Sequence, residues 1–104
     1  MRYVKHTKTF KKQYKQSQKR GYKMELLKDI MTRIARAEPL PPAAREHHLS
    51  GNYAGHRECH IKGDWLLIYR IEDRAGQTIP IGMEQDPETE TVIFELTGTH
   101  SDLF

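Results

Sequence analysis

Apolar residues in the first third of the chain recur at the spacing of helices. Phe10 and Tyr14 lie four residues apart and share one face of a first predicted helix. Thr7 can cap this helix through its hydroxyl, and Gly21 is suited to end it. A second predicted helix ends at Glu38-Pro39, because the residue before a proline is pushed out of the helical region. Its core-facing stripe consists of Leu26, Leu27, Ile30, Met31 and Ile34.

From residue 53 the pattern changes to that of strands. Residues 53–61 form a predicted strand, and 62–64 (Lys-Gly-Asp) form a tight turn. Residues 65–71 are apolar on nearly both faces, which predicts a central strand covered by the helices on one side. Residues 91–97 form the last predicted strand, with Val92, Phe94 and Leu96 on one face, and 3–6 form a short first strand. The pattern predicts one domain, residues 1–104, with a helical hairpin laid across a sheet.

The segment 73–90, between the last two predicted strands, is rich in Gly, Pro and acids. Its only apolar piece is Ile79-Pro80-Ile81. An ordinary hairpin loop has about two to five residues. The segment is therefore predicted to be an extended, mobile excursion or a functional arm.

Charge divides the chain into two unequal parts. Residues 1–36 carry 12 Lys or Arg and only two acids, whereas residues 37–104 carry 5 Lys or Arg and 12 acids. The formal charges are thus +10 and −7, which the net charge of +3 conceals. A solvated helical surface explains most lysine-rich stretches, but an excess this large favours a polyanionic or acidic partner.

The location of the protein can be inferred from three features: the lack of a membrane-spanning run, the lack of a signal peptide and the cysteine content. No apolar run approaches the roughly 18–20 residues that cross a bilayer. The basic N-terminus lacks the apolar stretch of a signal peptide. A single cysteine, Cys59, excludes an internal disulfide and suits a reducing compartment. We expect a cytoplasmic protein without membrane contact.

Histidines are concentrated in the acidic part of the chain, at positions 47, 48, 56, 60 and 100. On a strand, His56, Glu58 and His60 share one face, while Arg57, Cys59 and Ile61 share the other. Each histidine alone could be an ordinary surface residue. The paired ligand spacings of zinc sites are absent, so no metal or cofactor is predicted. Cys59 is a weak candidate nucleophile, because a thiol buried within a strand is usually inert.

This residue set suits ribonuclease chemistry. Attack by the 2′-hydroxyl of RNA needs a base, a cation beside the phosphorane and an acid for the leaving 5′-oxygen. Histidines, carboxylates and Arg or Lys supply all three. Trp65 or Phe104 could stack on a splayed base, although core packing explains either ring equally well.

Two longer motifs carry a resemblance to a known family. They are the Asp64-Trp65 strand that continues Leu-Leu-Ile-Tyr, and the ending Thr97-Gly-Thr-His-Ser-Asp-Leu-Phe104. With the basic hairpin and the Leu49-Ser-Gly-Asn-Tyr-Ala-Gly-His-Arg-Glu-Cys-His60 segment, the chain resembles the YafQ branch of the RelE-like bacterial toxins. The resemblance implies an α+β RelE-like fold, with an N-terminal helical hairpin on a twisted, mostly antiparallel four-stranded sheet. It also implies ribosome-dependent mRNA cleavage and an antitoxin partner of the ribbon-helix-helix type.

The resemblance also implies the site. His100 is expected to be central to proton transfer, assisted by His47, His60 and Asp64. Phe104 is expected to orient the RNA. Trp65 also occupies a position that matches a functional residue of the family. Ribosomal RNA is expected to meet the basic N-terminal helices.

Two features depart from the family pattern. Leu96 stands where the family usually carries an Arg, so the phosphate-stabilising cation is missing or supplied by Arg57 or Lys62. The 73–90 loop is longer than the family's turn, and its acids would repel RNA if they folded over the site. Leu96 favours an alternative, a RelE-fold protein that binds an antitoxin or ribosome with weak or no cleavage. The related gyrase-poisoning branch is disfavoured, because it generally lacks this histidine set.

Overall fold

In the computed structural model, which describes residues 1–104, the chain forms three helices and one five-stranded sheet. The helices are α1 (Lys8–Lys19), α2 (Met24–Ala35) and α3 (His100–Leu103). The strands are β1 (Tyr3–His6), β2 (His47–His48), β3 (Arg57–Lys62), β4 (Trp65–Glu72) and β5 (Thr91–Thr99). None of the helices combines the length and the apolar character that spanning a bilayer requires.

The helical hairpin follows the predicted signals. The Thr7 hydroxyl accepts a hydrogen bond from the Phe10 N–H at 2.9 Å, which caps α1. Gly21 takes a φ of +78° directly after the helix, a conformation that favours glycine. α2 ends at Ala35, earlier than the predicted Glu38-Pro39, because Ala37 already adopts a left-handed φ of +57°.

The strand order in the sheet is β1-β5-β4-β3-β2. β1 runs parallel to β5, and the other neighbours are antiparallel. The predicted α+β fold with a helical hairpin on a mostly antiparallel sheet is confirmed. The sheet has five strands, whereas four were predicted. The additional strand, β2, was missed because its two residues are too few to show an alternating pattern in the sequence.

β4 is the central strand, and it is buried on both faces. Leu67, Tyr69 and Ile71 pack with the helices in the main core cluster. Leu66 and Ile68 lie outside that cluster and yet have no exposed surface. The face of the sheet opposite the helices, called here the outer face, is therefore covered as well.

A bulge in β5 corrects the predicted pattern of its last residues. Ile68 pairs with Leu96 and Tyr69 pairs with Phe94, so Glu95 is an extra residue on β5. Leu96 consequently shares the outer face with Ile68, whereas Phe94 faces the helices. The expectation that Leu96 and Phe94 share one face was wrong, since an inserted residue reverses the alternation.

The 73–90 loop, predicted as an extended, mobile excursion or a functional arm, is tied to the rest of the chain by hydrogen bonds such as that from the Ile79 N–H to Ile71 O at 2.8 Å. Asp73 Oδ1 accepts from the backbone N–H groups of Ala75 and Gln77, both at 2.9 Å. The acids of this loop, which were expected to repel RNA if they folded over the site, have partners within the protein. Glu84 pairs with Arg57, Glu88 with the amino group of Met1 and Glu90 with Arg2, while Asp86 accepts from the Glu88 N–H. The loop joins β4 to β5 at the end of the sheet opposite Asp64 and His100.

Ala37 generates a prediction about stability. The Ala37 N–H donates to Ile34 O and the Glu38 N–H donates to Arg33 O, a helix ending that normally carries glycine at this position. Because an L side chain is strained at positive φ, Ala37→Gly should raise the free energy of unfolding by about 0.5–1 kcal/mol. Urea denaturation measures this change. Gln16→Gly, in the exposed middle of α1, is the matched control and should lower stability. If both variants lost stability, the explanation that Ala37 is strained at its positive φ would be wrong.

Candidate active site

Three of the four predicted catalytic residues lie at one end of the sheet, where β3 ends, β4 begins and β5 ends. His60 lies near the end of β3, and Asp64 lies in the turn before β4. His100 follows β5 as the first residue of α3. His60 and Gly98 both pair with Leu66, from its two sides, so these strand ends lie side by side on the outer face.

His100 and Asp64 form the most direct chemical pair. His100 Nδ1 lies 2.7 Å from Asp64 Oδ1, and the side chains are 58% and 57% exposed. A neutral imidazole that donates from Nδ1 to a carboxylate presents an unprotonated Nε2. The carboxylate thus orients the ring and stabilises it when Nε2 takes up a proton. This leaves His100 Nε2 available for proton transfer.

The short helix that carries His100 is fixed by local contacts. The Thr99 hydroxyl accepts from the Asp102 N–H, and Asp102 accepts from the Thr99 N–H, which is a capping box. Arg20 donates to both carboxylate oxygens of Asp102, at 2.7 and 3.2 Å. The hydrogen bond from Arg20 contributes most, followed by that from the Thr99 N–H, and together they lower the pKa of the Asp102 carboxyl to about 2. Gly98 leaves room for this turn, since a Cβ at position 98 would lie 3.0 Å from Asp102.

His47 approaches the site from the edge strand β2. Its Nδ1 lies 2.7 Å from Arg45 O, and its Nε2 lies 3.2 Å from Glu58 Oε1. Both partner atoms are oxygens that can accept a hydrogen bond from the ring. The His60 ring lies 6.3 Å from the His47 ring, and His60 Nδ1 makes only a long contact of 3.4 Å to Gly63 O. Two histidines and one carboxylate therefore share this part of the outer face.

Aromatic rings connect the C-terminus to the loop before β3. The Phe104 ring lies 5.7 Å from His100 and 5.6 Å from Tyr53, and Tyr53 lies 5.8 Å from His56. Phe104 is 59% exposed. It combines a fixed position with a free face, the property required of a ring that stacks on a base.

Two of the predicted RNA contacts do not fit their positions. Trp65 is 5% exposed, packs 5.0 Å from Tyr22 and donates from its indole nitrogen to Thr97 Oγ1 at 3.0 Å, so its ring belongs to the core. Arg57 is 2% exposed on the helix side of the sheet and pairs with Glu84, so it cannot replace the missing family Arg.

Lys62 is exposed and remains available as a cation. It borders a groove of about 370 Å³ together with Lys23 and Asp64.

Two residues of this region were not predicted as site residues. Glu58 is 4% exposed and faces His47, and its period-two relation to His60 was the signal that could have identified it. Tyr53 gave no such signal, because it lies in a 3-10 turn outside any strand. Burial raises the pKa of the Cys59 thiol, which keeps it protonated and unreactive. No group of three or more His, Cys, Asp or Glu side chains is arranged to hold a metal ion.

Comparisons with known proteins identify the family. The family model described as "Bacterial toxin of type II toxin-antitoxin system, YafQ" matches residues 2–104. The chain belongs to the YafQ toxin family. The mRNA interferase toxin YafQ of Escherichia coli K12 is 34% identical over 102 residues, which cover 97% of this chain and 94% of that protein. The resemblance predicted from the two motifs is thereby confirmed.

Solved structures of the YafQ family share the whole fold. The crystal structure of YafQ from Escherichia coli BL21(DE3) has a TM-score of 0.77 at 30% identity, over 100% of this chain and 99% of that one. The YafQ chain in the Escherichia coli DinJ–YafQ toxin–antitoxin complex has a TM-score of 0.73 at 33% identity, over 99% and 97%. These structures confirm the RelE-like fold.

The contact between Arg20 and Asp102 predicts how α3 is held. Arg20→Ala should speed amide hydrogen exchange in residues 99–104, because it removes the tie between α1 and the C-terminal turn. Arg33→Ala is the matched control, since it removes an exposed pair with Asp29 inside α2. Equal exchange in residues 99–104 of both variants and the wild type would show that the capping box alone holds α3.

The lowered pKa of Asp102 gives this tie a pH dependence. Its value in the folded protein, about 2, lies below the ordinary 3.8. The contribution to stability is therefore complete above the ordinary value and is lost as pH falls through the folded one. Protection of residues 99–104 should accordingly persist at pH 4.

Proposed function

We propose that this YafQ-family protein is an endoribonuclease that cuts messenger RNA on the ribosome. In the proposed reaction the 2′-oxygen attacks the adjacent phosphorus, its proton passes to a base, and the bond to the 5′-oxygen breaks as an acid protonates that oxygen. The products are a 2′,3′-cyclic phosphate and a 5′-hydroxyl end. Side chains of the site supply each proton transfer, so no cofactor is assigned.

The pairing of His100 with Asp64 carries this proposal. The carboxylate holds Nδ1 at 2.7 Å and leaves Nε2 at an exposed position beside Phe104. An imidazole in this arrangement can accept a proton in one step and donate it in another. His100 is thus the principal proton-transfer group, and Asp64 orients it. His60 lies on the same face and is assigned a supporting part in proton transfer.

Stabilisation of the phosphorane is assigned to His47 and Lys62 in this proposal. His47 lies 6.3 Å from the His60 ring on the outer face, with an acceptor beside each of its ring nitrogens. Lys62 is an exposed lysine in the turn next to Asp64. These two groups take the place of the Arg that Leu96 replaces. Phe104 is proposed to stack on a base and so align the RNA.

The basic hairpin is proposed to bind ribosomal RNA. Lys8, Lys11, Lys12 and Lys15 line a hollow of about 420 Å³ on α1. No lysine of the chain takes part in an ion pair, so these charges are free to meet phosphates. Ribosome binding implies a cytoplasmic location.

An antitoxin is the second proposed partner, by analogy with the complex of the Escherichia coli relative with DinJ. A groove of about 640 Å³ between α1 and α2 has Phe10, Tyr14 and Met31 in its lining. Lys11 and Lys28 border it. This combination suits an acidic amphipathic segment, and we propose an antitoxin of the ribbon-helix-helix type.

An interaction protein without efficient cleavage is the alternative. Leu96 favours it, because the bulge places this apolar side chain on the outer face where the family carries a cation. The complete set of His47, His60, Asp64 and His100 favours cleavage.

The test of cleavage is a reconstituted translation reaction. The wild type should cut messenger RNA when ribosomes are present and leave the same RNA largely intact when they are omitted. His100→Ala and His100→Gln should both lower the rate by about 10²–10⁴-fold, the usual loss for one general acid–base group. The glutamine variant can still donate an amide hydrogen bond to Asp64 but cannot relay a proton, so it separates chemistry from positioning.

Thermal unfolding is the control, because His100 is exposed and both variants should keep the wild-type Tm. Equal cutting with and without ribosomes would indicate a free ribonuclease. Full activity of His100→Gln would exclude His100 as the proton-transfer group. A wild type that binds ribosomes without cutting would support the interaction protein.

The lysine hollow predicts a salt dependence. Reversing Lys11, Lys12, Lys15 and Lys19 to Glu should weaken ribosome binding and make its logarithm fall less steeply with the logarithm of salt, by about one unit of slope per lost phosphate contact. Lys12→Glu and Arg74→Glu form a matched pair, because both residues are exposed and the charge change is equal. Lys12→Glu should weaken binding and Arg74→Glu should not. An affinity that salt does not change would refute the electrostatic account.

A further inference from the structure

The edge strand β2 presents two adjacent histidines to opposite sides of the sheet. His47 pairs in register with Glu58, and His48 pairs with Arg57. Since paired residues share a face, His47 lies on the outer face with Glu58, and His48 lies on the helix side with Arg57. A slip by one residue would exchange the two histidines, and a strand of two residues has little pairing of its own to prevent it.

The 73–90 loop contacts β2 directly. The Ile81 N–H donates a hydrogen bond of 3.1 Å to His48 Nε2 across 33 residues of sequence. A ring nitrogen that accepts must carry its lone pair, so this contact also selects the form of His48 with its proton on Nδ1. His48 is thereby held on the side of the sheet opposite the site.

A second tie links the same loop to the residue before His47. Arg57 Nη2 donates to Ile79 O at 2.6 Å and to Glu84 Oε1 at 3.0 Å. Arg57 Nη1 lies 3.6 Å from Glu46 Oε2, and Glu46 also accepts from the Tyr69 hydroxyl. The loop is therefore linked to both neighbours of His47, to Glu46 through their shared partner Arg57 and to His48 directly.

We propose that the 73–90 loop is a positioning element for His47, and that His48 is the positioning residue through which it acts. This inference rests on the proposed function only where it gives His47 a part in cleavage. The loop is the segment in which this chain departs from the resemblance, and the site lies at the other end of the sheet. Its effect on chemistry therefore runs through β2 and not through contact with RNA.

Variants of His48 test the proposal in the full-length protein. His48→Ala and His48→Phe both lack the acceptor, with less and with similar bulk, whereas His48→Gln offers an amide oxygen to the Ile81 N–H. Because a misplacement of a catalytic group by about 1 Å can cost about 10²-fold in rate, we expect at least a tenfold fall in kcat for the first two. KM for ribosome-bound message should stay within twofold, since the lysine hollow is untouched. His48→Gln should restore most of kcat.

A double-mutant cycle shows whether the effect passes through His47. His48→Ala should lower kcat in the wild type and cause no further loss in the His47→Ala background. An equal loss in both backgrounds would overturn the proposal, because His48 would then act by another route. Wild-type kcat in both His48→Ala and His48→Phe would overturn it as well.

Measurements without RNA separate this inference from the proposed function. In His48→Ala, the NMR signals of the His47 ring should shift and amide exchange at residues 47–49 should accelerate at least tenfold. His48→Gln should resemble the wild type. If these changes occur in a protein that cuts no RNA, the proposed function is wrong and the positioning of His47 stands. If β2 is unchanged in His48→Ala, the positioning role is wrong whatever the activity.

Discussion

The buried guanidinium of Arg57 is the constraint on which much of this structure depends. Only 2% of the residue is exposed, and its Nε has no hydrogen-bond partner. Removing one partner of a buried ion pair typically costs about 3–5 kcal/mol, because the remaining charge is left uncompensated. Glu46 and Glu84 must therefore stay beside Arg57, and they bring with them the segment before β2 and the 73–90 loop. The charge of Arg57 thus holds two segments that have few backbone hydrogen bonds to the sheet.

A second buried pair fixes the other side of the same loop. Arg2 donates to Glu90 at 2.9 Å and to Ile34 O at 2.7 Å, with both side chains almost fully buried. The end of the sheet remote from the site is therefore held by buried arginines whose charges are neutralised within the protein. His100 and Asp64, in contrast, are exposed and meet at the ends of short elements. This division suits the proposed cleavage, because exposed groups that transfer protons need a scaffold that holds them in position.

Sequence patterns predicted the parts of the molecule that obey a regular period. The hairpin followed from Thr7, Gly21 and the apolar stripe, and the doubly buried β4 followed from its continuous apolar run. Patterns failed where one residue breaks the period, as the extra Glu95 does in β5. They failed also where a long-range partner decides the outcome. Nothing in the sequence near Arg57 shows that its partners will be one acid 11 residues before it and another 27 residues after it.

The ion pairs also explain what the uneven charge of the chain means. Every cation in them is an arginine or the N-terminal amine, and most acids of residues 37–104 are used in this way. The lysines of α1 have no such partners. These pairs thus neutralise acids and arginines together, and the hairpin lysines are left without acidic partners. The field that a polyanion meets is consequently stronger than the net charge of +3 indicates. The fold thus presents a basic surface on the hairpin although the composition of the whole chain is almost balanced.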